Sequence, residues 1–254
     1  MSKTKQINRG EQKEVICLIP NVINPMKNLL SLLLLILSAL PSFAQKSLVL
    51  KTFVKHGIDT NILDPTLRQK PKNYAFDLKY TSITSDKESV TLANFDPTKP
   101  EAERWAVISV KGKAPSQSEI KTFRKTHNAP ENTAGQVDDN SYKIEKETAD
   151  LLVVSYKQNI ALIPKEASFM KDCRLYLTIN LKTKRLEKLQ SLNEKPLKIK
   201  IFNAEKLDLL VTYIYDEAEK HYLTVSEDLN LMVKFLGQLA PMETISEYSN
   251  YKKI

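Results

Sequence analysis

The chain has 254 residues, of which 42% are hydrophobic and 27% charged, with a formal net charge of +8. This composition excludes a disordered or low-complexity chain, and two cysteines in such a length exclude a disulfide-built scaffold. The 38 Lys and Arg residues are spread singly rather than gathered in one tract, which favours solvated faces over an anionic partner such as nucleic acid or lipid headgroups.

The first strong pattern is Met26-Lys27-Asn28, then LLSLLLLILSAL, then PSFAQ: a charged start, an apolar run and a small-residue site with Ser42 and Ala44 before the cut. We expect a signal peptide over 26–44, cleaved after Ala44, and a periplasmic or secreted protein. The unbroken apolar run covers about a dozen residues where a membrane span needs ~20, which weighs against the rival reading of an anchor. Residues 1–25 precede this pattern, so Met26 is the expected true start and 1–25 an extension from a mis-assigned one; a genuine long leading region is the alternative. The cut removes Cys17 together with five basic and two acidic residues, leaving 33 basic and 28 acidic residues, net +5. Cys173 is then the single thiol, expected as a small buried hydrophobe rather than half of an intermolecular disulfide. No cysteine follows the apolar run to take a lipid, so residues 45–254 are expected as one soluble, monomeric domain without a stable membrane span.

Along this domain, SLVLKTFVKH (47–56) suits a short helix laid on a sheet, and 57–73 reads as an irregular lead-in. From Ala75 onward the dominant period is two, that of half-buried antiparallel strands. YAFDLKYTSI and SVTLANF are separated by the polar break Ser85-Asp86-Lys87. A loop with Pro97 and Pro100 follows, then RWAVISV, which holds the only tryptophan, Trp105. Gly112 and Pro115 turn the chain, and Ser116 with Glu119 has the spacing of a capping box, so a helix is predicted over Gln117–His127 with Ile120 and Phe123 as its apolar stripe. Asn128-Ala129-Pro130 stops it. After a polar linker (131–141) strands return to the end of the chain; in RLYLTINLK, Leu175, Leu177, Ile179 and Leu181 point one way. Eight to eleven strands with one or two helices are too many for a flat open sheet, and the expected fold is mainly β (α+β): a strongly curved antiparallel half-barrel wrapped around one or two helices.

Marked chemistry is missing. His56, His127 and His221 stand apart from one another, no HExxH or paired Cys/His spacing occurs, and a GxSxG elbow is absent. Four glycines after Ala44 cannot build a phosphate-cradling loop, and Asp216, Glu217 and Glu219 fall in a hairpin turn. No catalytic residue, metal ligand set or cofactor is therefore expected, and the chain is read as no enzyme.

The stretch NFDPTKPEAERWAVISVKGKAPSQSEIKTF resembles an uncharacterised family of exported bacterial proteins in which FDP, P and ERW lead to a V-G-K-P turn and a short capped helix. That family, with the closing EYSNYKK, is similar to the LolA-like half-barrels that carry or bind lipids and lipoproteins in the periplasm. The likeness is specific over 35 or so residues and architectural elsewhere. The chain departs at Lys111, where the family has an acidic residue, so no polar site is carried over there. The resemblance implies an envelope protein binding a lipid, acyl chain or lipoprotein in the concave face, with Trp105 packing on the helix through Phe123. A sheet of this length must bury one face and the helix has only Ile120 and Phe123 to cover it, so a groove is expected there, lined by Trp105, Ile120, Phe123 and Leu177, with Lys121 and Lys125 at its rim. The alternative is a structural or protein-interaction module of the envelope with a fully packed core.

Overall fold

The computed structural model describes residues 44–85, 87–128, 136–199, 202–235 and 237–254. The expected extension 1–25, with Cys17, and residues 26–43 of the expected signal segment lie outside them. Helix α1 spans Ala44–His56 and helix α2 Gln117–His127, and the strands are β1 (Tyr74–Thr84), β2 (Lys87–Phe95), β3 (Trp105–Val110), β4 (Lys143–Glu147), β5 (Leu151–Tyr156), β6 (Cys173–Asn180), β7 (Arg185–Asn193), β8 (Leu197–Ile199), β9 (Phe202–Asp216), β10 (His221–Phe235) and β11 (Gln238–Lys253). All eleven belong to one antiparallel sheet in the order β3-β2-β1-β11-β10-β9-β7-β6-β5-β4, with β8 also on β9. The sheet is not closed: β3 and β4 are its edges.

The period-two pattern does what it predicts. Register places Thr91, Tyr80, Ser246, Glu227, Val211, Leu189, Leu177 and Val154 opposite one another in a single row across eight strands, hence on one face. Both helices cover that face. Val49 and Phe53 of α1, each fully buried, meet Leu152, Val154, Leu177 and Ile179, while Phe123 of α2 joins Phe76, Leu78, Trp105 and Tyr248. A third cluster of Cys173, Leu197, Ala204, Leu207 and Val233 completes the core. Cys173 is buried and unpaired, as a small hydrophobe would be, and burial pushes its thiol up to about 11.

The segment 57–73 is more than a lead-in. Two 3-10 turns, Thr60–Leu63 and Pro65–Arg68, are capped by the side chains of Asp59 and Asp64 and carry Ile62 and Leu63 into the core. Where β7 hands the edge of β9 to β8, Asn193 replaces the interrupted ladder: its amide donates to the Lys195 and Glu205 carbonyls and its carbonyl accepts from Leu207 N.

Both edges are protected. β4 carries Lys143, Glu145, Lys146 and Glu147. β3 has no charge, but Arg124 Nε donates to the Trp105 carbonyl at 2.9 Å and Val110 exchanges backbone bonds with Lys113, so both ends of its outer rim are occupied.

Candidate functional site

The approach to α2 is fixed locally. Lys111 and Gly112 both take left-handed backbone, φ +52° and +72°, which folds Val110 onto Lys113 and sends the chain back over the sheet. Ser116 Oγ then accepts from Glu119 N at 3.3 Å while the Glu119 carboxylate accepts from Ser116 N at 2.8 Å, the complete capping box. The Ser116 hydroxyl, donating to the same Glu119 carboxylate oxygen at 2.7 Å, and the Ser116 amide together hold the Glu119 carboxyl below its ordinary value. At the far end Asn128 donates to the Glu101 carbonyl, and Arg124 ties the middle of the helix to β3.

Only one side chain of α2, Phe123, is buried. Its ring meets Trp105 edge-on at 5.5 Å and Tyr80 at 6.5 Å, and lies flat against the His127 imidazole at 3.8 Å. Trp105 in turn contacts Phe76 and Phe95. The tryptophan and its strand-to-helix corner thus anchor α2 to the sheet.

Because one aromatic carries the contact, α2 leaves a cleft of about 530 Å³ between itself and β1–β3. Tyr80, Val110, Phe123 and His127 form its apolar and aromatic wall, and Thr91, Thr122 and Thr126 contribute hydroxyls. His127 Nδ1 faces the Phe123 carbonyl at 2.9 Å and the Thr126 hydroxyl at 3.0 Å, and burial pushes its pKa below 6.5. Tyr80 is pushed up by burial and stays protonated. Glu119 is the one carboxylate in the lining, ionised at neutral pH and committed to the helix cap; the rest of the lining carries no charge and suits an apolar or neutral group.

Trp105 and Phe123 are brought together and Phe123 lines the cleft; Trp105 stands behind it, 5% exposed. Ile120 is half-buried beside the cleft rather than in its wall, and Lys121 and Lys125 are exposed on α2 without lining it. Leu177 is elsewhere. It shares the face, but β6 lies five strand positions from β1, ~24 Å along the sheet at the usual strand spacing, and the leucine is fully buried under α1. Between them the face turns polar: Glu227 accepts from Tyr248 Oη at 2.9 Å and lies 3.7 Å from Lys70 Nζ, next to Ser246. Tyr80, Thr91 and His127 line the cleft although the sequence does not mark them as site residues; Tyr80 shares one face of β1 with Phe76 and Leu78 by strand alternation, while the turn of His127 onto Phe123 is a helical i, i+4 contact.

The other histidines have structural partners, His56 with Glu147 at 2.7 Å and His221 with the Gln69 carbonyl. The acidic hairpin turn is likewise occupied: Asp216 accepts from Tyr74 Oη at 2.6 Å, Glu217 pairs with Arg185 and Glu219 with Lys253. Among the described residues no three His, Cys, Asp or Glu side chains are placed to share a metal ion, and no helix is long and apolar enough to cross a membrane.

No protein-family model matches the chain, and neither a curated protein nor a solved structure matches it.

Proposed function

We propose that this is an exported envelope protein, cut after Ala44, that binds an apolar or amphiphilic partner such as an acyl chain, a lipid or a lipoprotein, with no catalytic step. The mostly apolar cleft between α2 and β1–β3 carries the reading, since its wall of Tyr80, Val110, Phe123 and His127 offers an aliphatic or aromatic group a desolvated seat, while the threonine hydroxyls can orient a polar end and the one lining carboxylate, Glu119, is held by the helix cap. The same reading takes the open eleven-stranded sheet as a LolA-like half-barrel bent around α1 and α2, supported by both helices lying on one face. Cleavage after Ala44 keeps all of α1 but its first residue, with the Lys46–Asp139 pair that ties it down.

The experiment is a titration of the purified protein with a fluorescent fatty acid. Saturable uptake that falls at least tenfold in Thr122→Trp, which fills the cleft from an exposed helix position, supports the reading; absence of saturable uptake overturns it. A packed interaction module is the second reading, favoured by one observation: under α1 the face is closed, with Leu152, Val154 and Leu177 fully buried.

A further inference from the structure

The connection from β5 to β6 does not fit a merely solvated loop. Its 3-10 turn Ile160–Leu162 holds Ile160 at 67% and Leu162 at 48% exposure. The turn is built rather than frayed: Asn159 Oδ1 accepts from Ala161 N at 3.1 Å, Asn159 N donates to the Gln136 carbonyl at 2.7 Å, and Leu162 N donates to the Asn159 carbonyl at 3.0 Å. Lys165 follows within three residues, at most ~11 Å in Cα distance. From there a second 3-10 segment, Lys165–Asp172, and β8 enclose a cleft of about 590 Å³ around Phe169, bordered by Lys165, Lys171 and Lys198. None of these three ammonium groups has an ion-pair partner among the described residues, and Asp172, which borders the cleft, already lies 3.8 Å from Lys195.

One exposed aliphatic side chain is ordinary. Two on a capped turn, three residues ahead of a cleft bordered by three lysines with no ion-pair partner among the described residues, combine the two terms that bring a protein onto an anionic bilayer: apolar side chains to enter the interface and ammonium groups to meet the phosphates. We infer that the β5–β6 connection, with Lys198, is a docking surface for an anionic lipid bilayer. This surface works whether or not the α2 cleft takes a ligand, so its test is separate from the fatty-acid titration.

The test is co-sedimentation of the mature protein, residues 45–254, with vesicles of phosphatidylcholine alone or mixed in equal parts with phosphatidylglycerol. Binding is expected on the mixed vesicles only, weakening with added salt. Combining Lys165→Gln, Lys171→Gln and Lys198→Gln should reduce partitioning about 100-fold, at about fivefold per lysine. Ile160→Ser with Leu162→Ser should reduce it about tenfold with every charge kept. The control Lys113→Gln, Lys121→Gln, Lys125→Gln removes equal charge elsewhere and should leave binding unchanged. In addition, a polarity-sensitive dye on Leu162→Cys should shift to the blue when mixed vesicles are added, Cys173 being buried. No binding to the mixed vesicles, equal losses in the two lysine variants, full binding by the serine variant, or an unmoved dye spectrum would each overturn the inference.

Discussion

Trp105→Ala probes the corner on which the position of α2 depends. The indole is 5% exposed and touches Phe76, Phe95, Phe123 and His127 at centroid distances of 5.0–5.6 Å. A buried tryptophan removes ~150–250 Å² from water, and at ~25 cal/mol per Å² that is about 4–6 kcal/mol. Trp105 begins an edge strand, so the vacated space can partly collapse, and the expected loss is ~3–5 kcal/mol. Against a total stability of ~5–15 kcal/mol this is a large fraction. Urea unfolding followed by far-ultraviolet circular dichroism is the assay, because the variant has no tryptophan left to report. With a slope of ~2–3 kcal/mol per M, the midpoint should fall by about 1–2.5 M. Ile108→Ser, at a 54% exposed position of the same strand, should cost under ~0.5 kcal/mol. A Trp105→Ala midpoint equal to that of Ile108→Ser would refute the assignment of the tryptophan to the core.

Ser116→Ala should destabilise by ~0.5–2 kcal/mol, read as a shifted urea midpoint, since it removes the acceptor for Glu119 N. Leu177→Phe should cost ~1–3 kcal/mol by overfilling the cluster under α1 while leaving fatty-acid uptake at wild-type affinity. His127 is held neutral by burial, with Lys70 opposing and Glu227 favouring its charge, so the unfolded chain takes up its proton at higher pH than the folded one. Its share of stability is therefore complete above pH 6.5 and is lost as pH falls from there through the depressed folded value; His127→Phe should flatten that part of a thermal-midpoint profile. Cys173, fully buried and with its thiol pushed up to about 11, should resist a thiol reagent at pH 8 and react once urea unfolds the chain; rapid labelling of the folded protein would contradict its placement.

Local chemistry was legible in the sequence and long-range register was not. The alternation in β1, β2, β6 and β9–β11, the Gly112 turn and the Ser116–Glu119 cap each follow from residues within a few positions, and each forms as expected. Phe123 against Trp105 was legible for the same reason, because the turn returns the helix onto the strand just before it. The distance between Leu177 and that pair was not. It depends on β11, β10, β9 and β7 intervening in the sheet, an order that alternation alone does not encode. Glu227 shows the same limit: it sits on the inward face of a strand, and only its partners Tyr248 and Lys70, far off in sequence, make that placement tolerable. In the segment 57–73 the turns are too short for a helical period, and its aspartate caps were the one available sign that Ile62 and Leu63 go inside.

The central claim, that an apolar or amphiphilic partner occupies the α2 cleft, is tested most directly by native mass spectrometry of the protein purified without detergent from an envelope fraction, comparing wild type with Thr122→Trp. The account predicts a lipid or acyl adduct on the wild type that is lost from the variant while both unfold at the same temperature. A wild-type protein that carries no adduct, and acquires none after incubation with fatty acid, would contradict it.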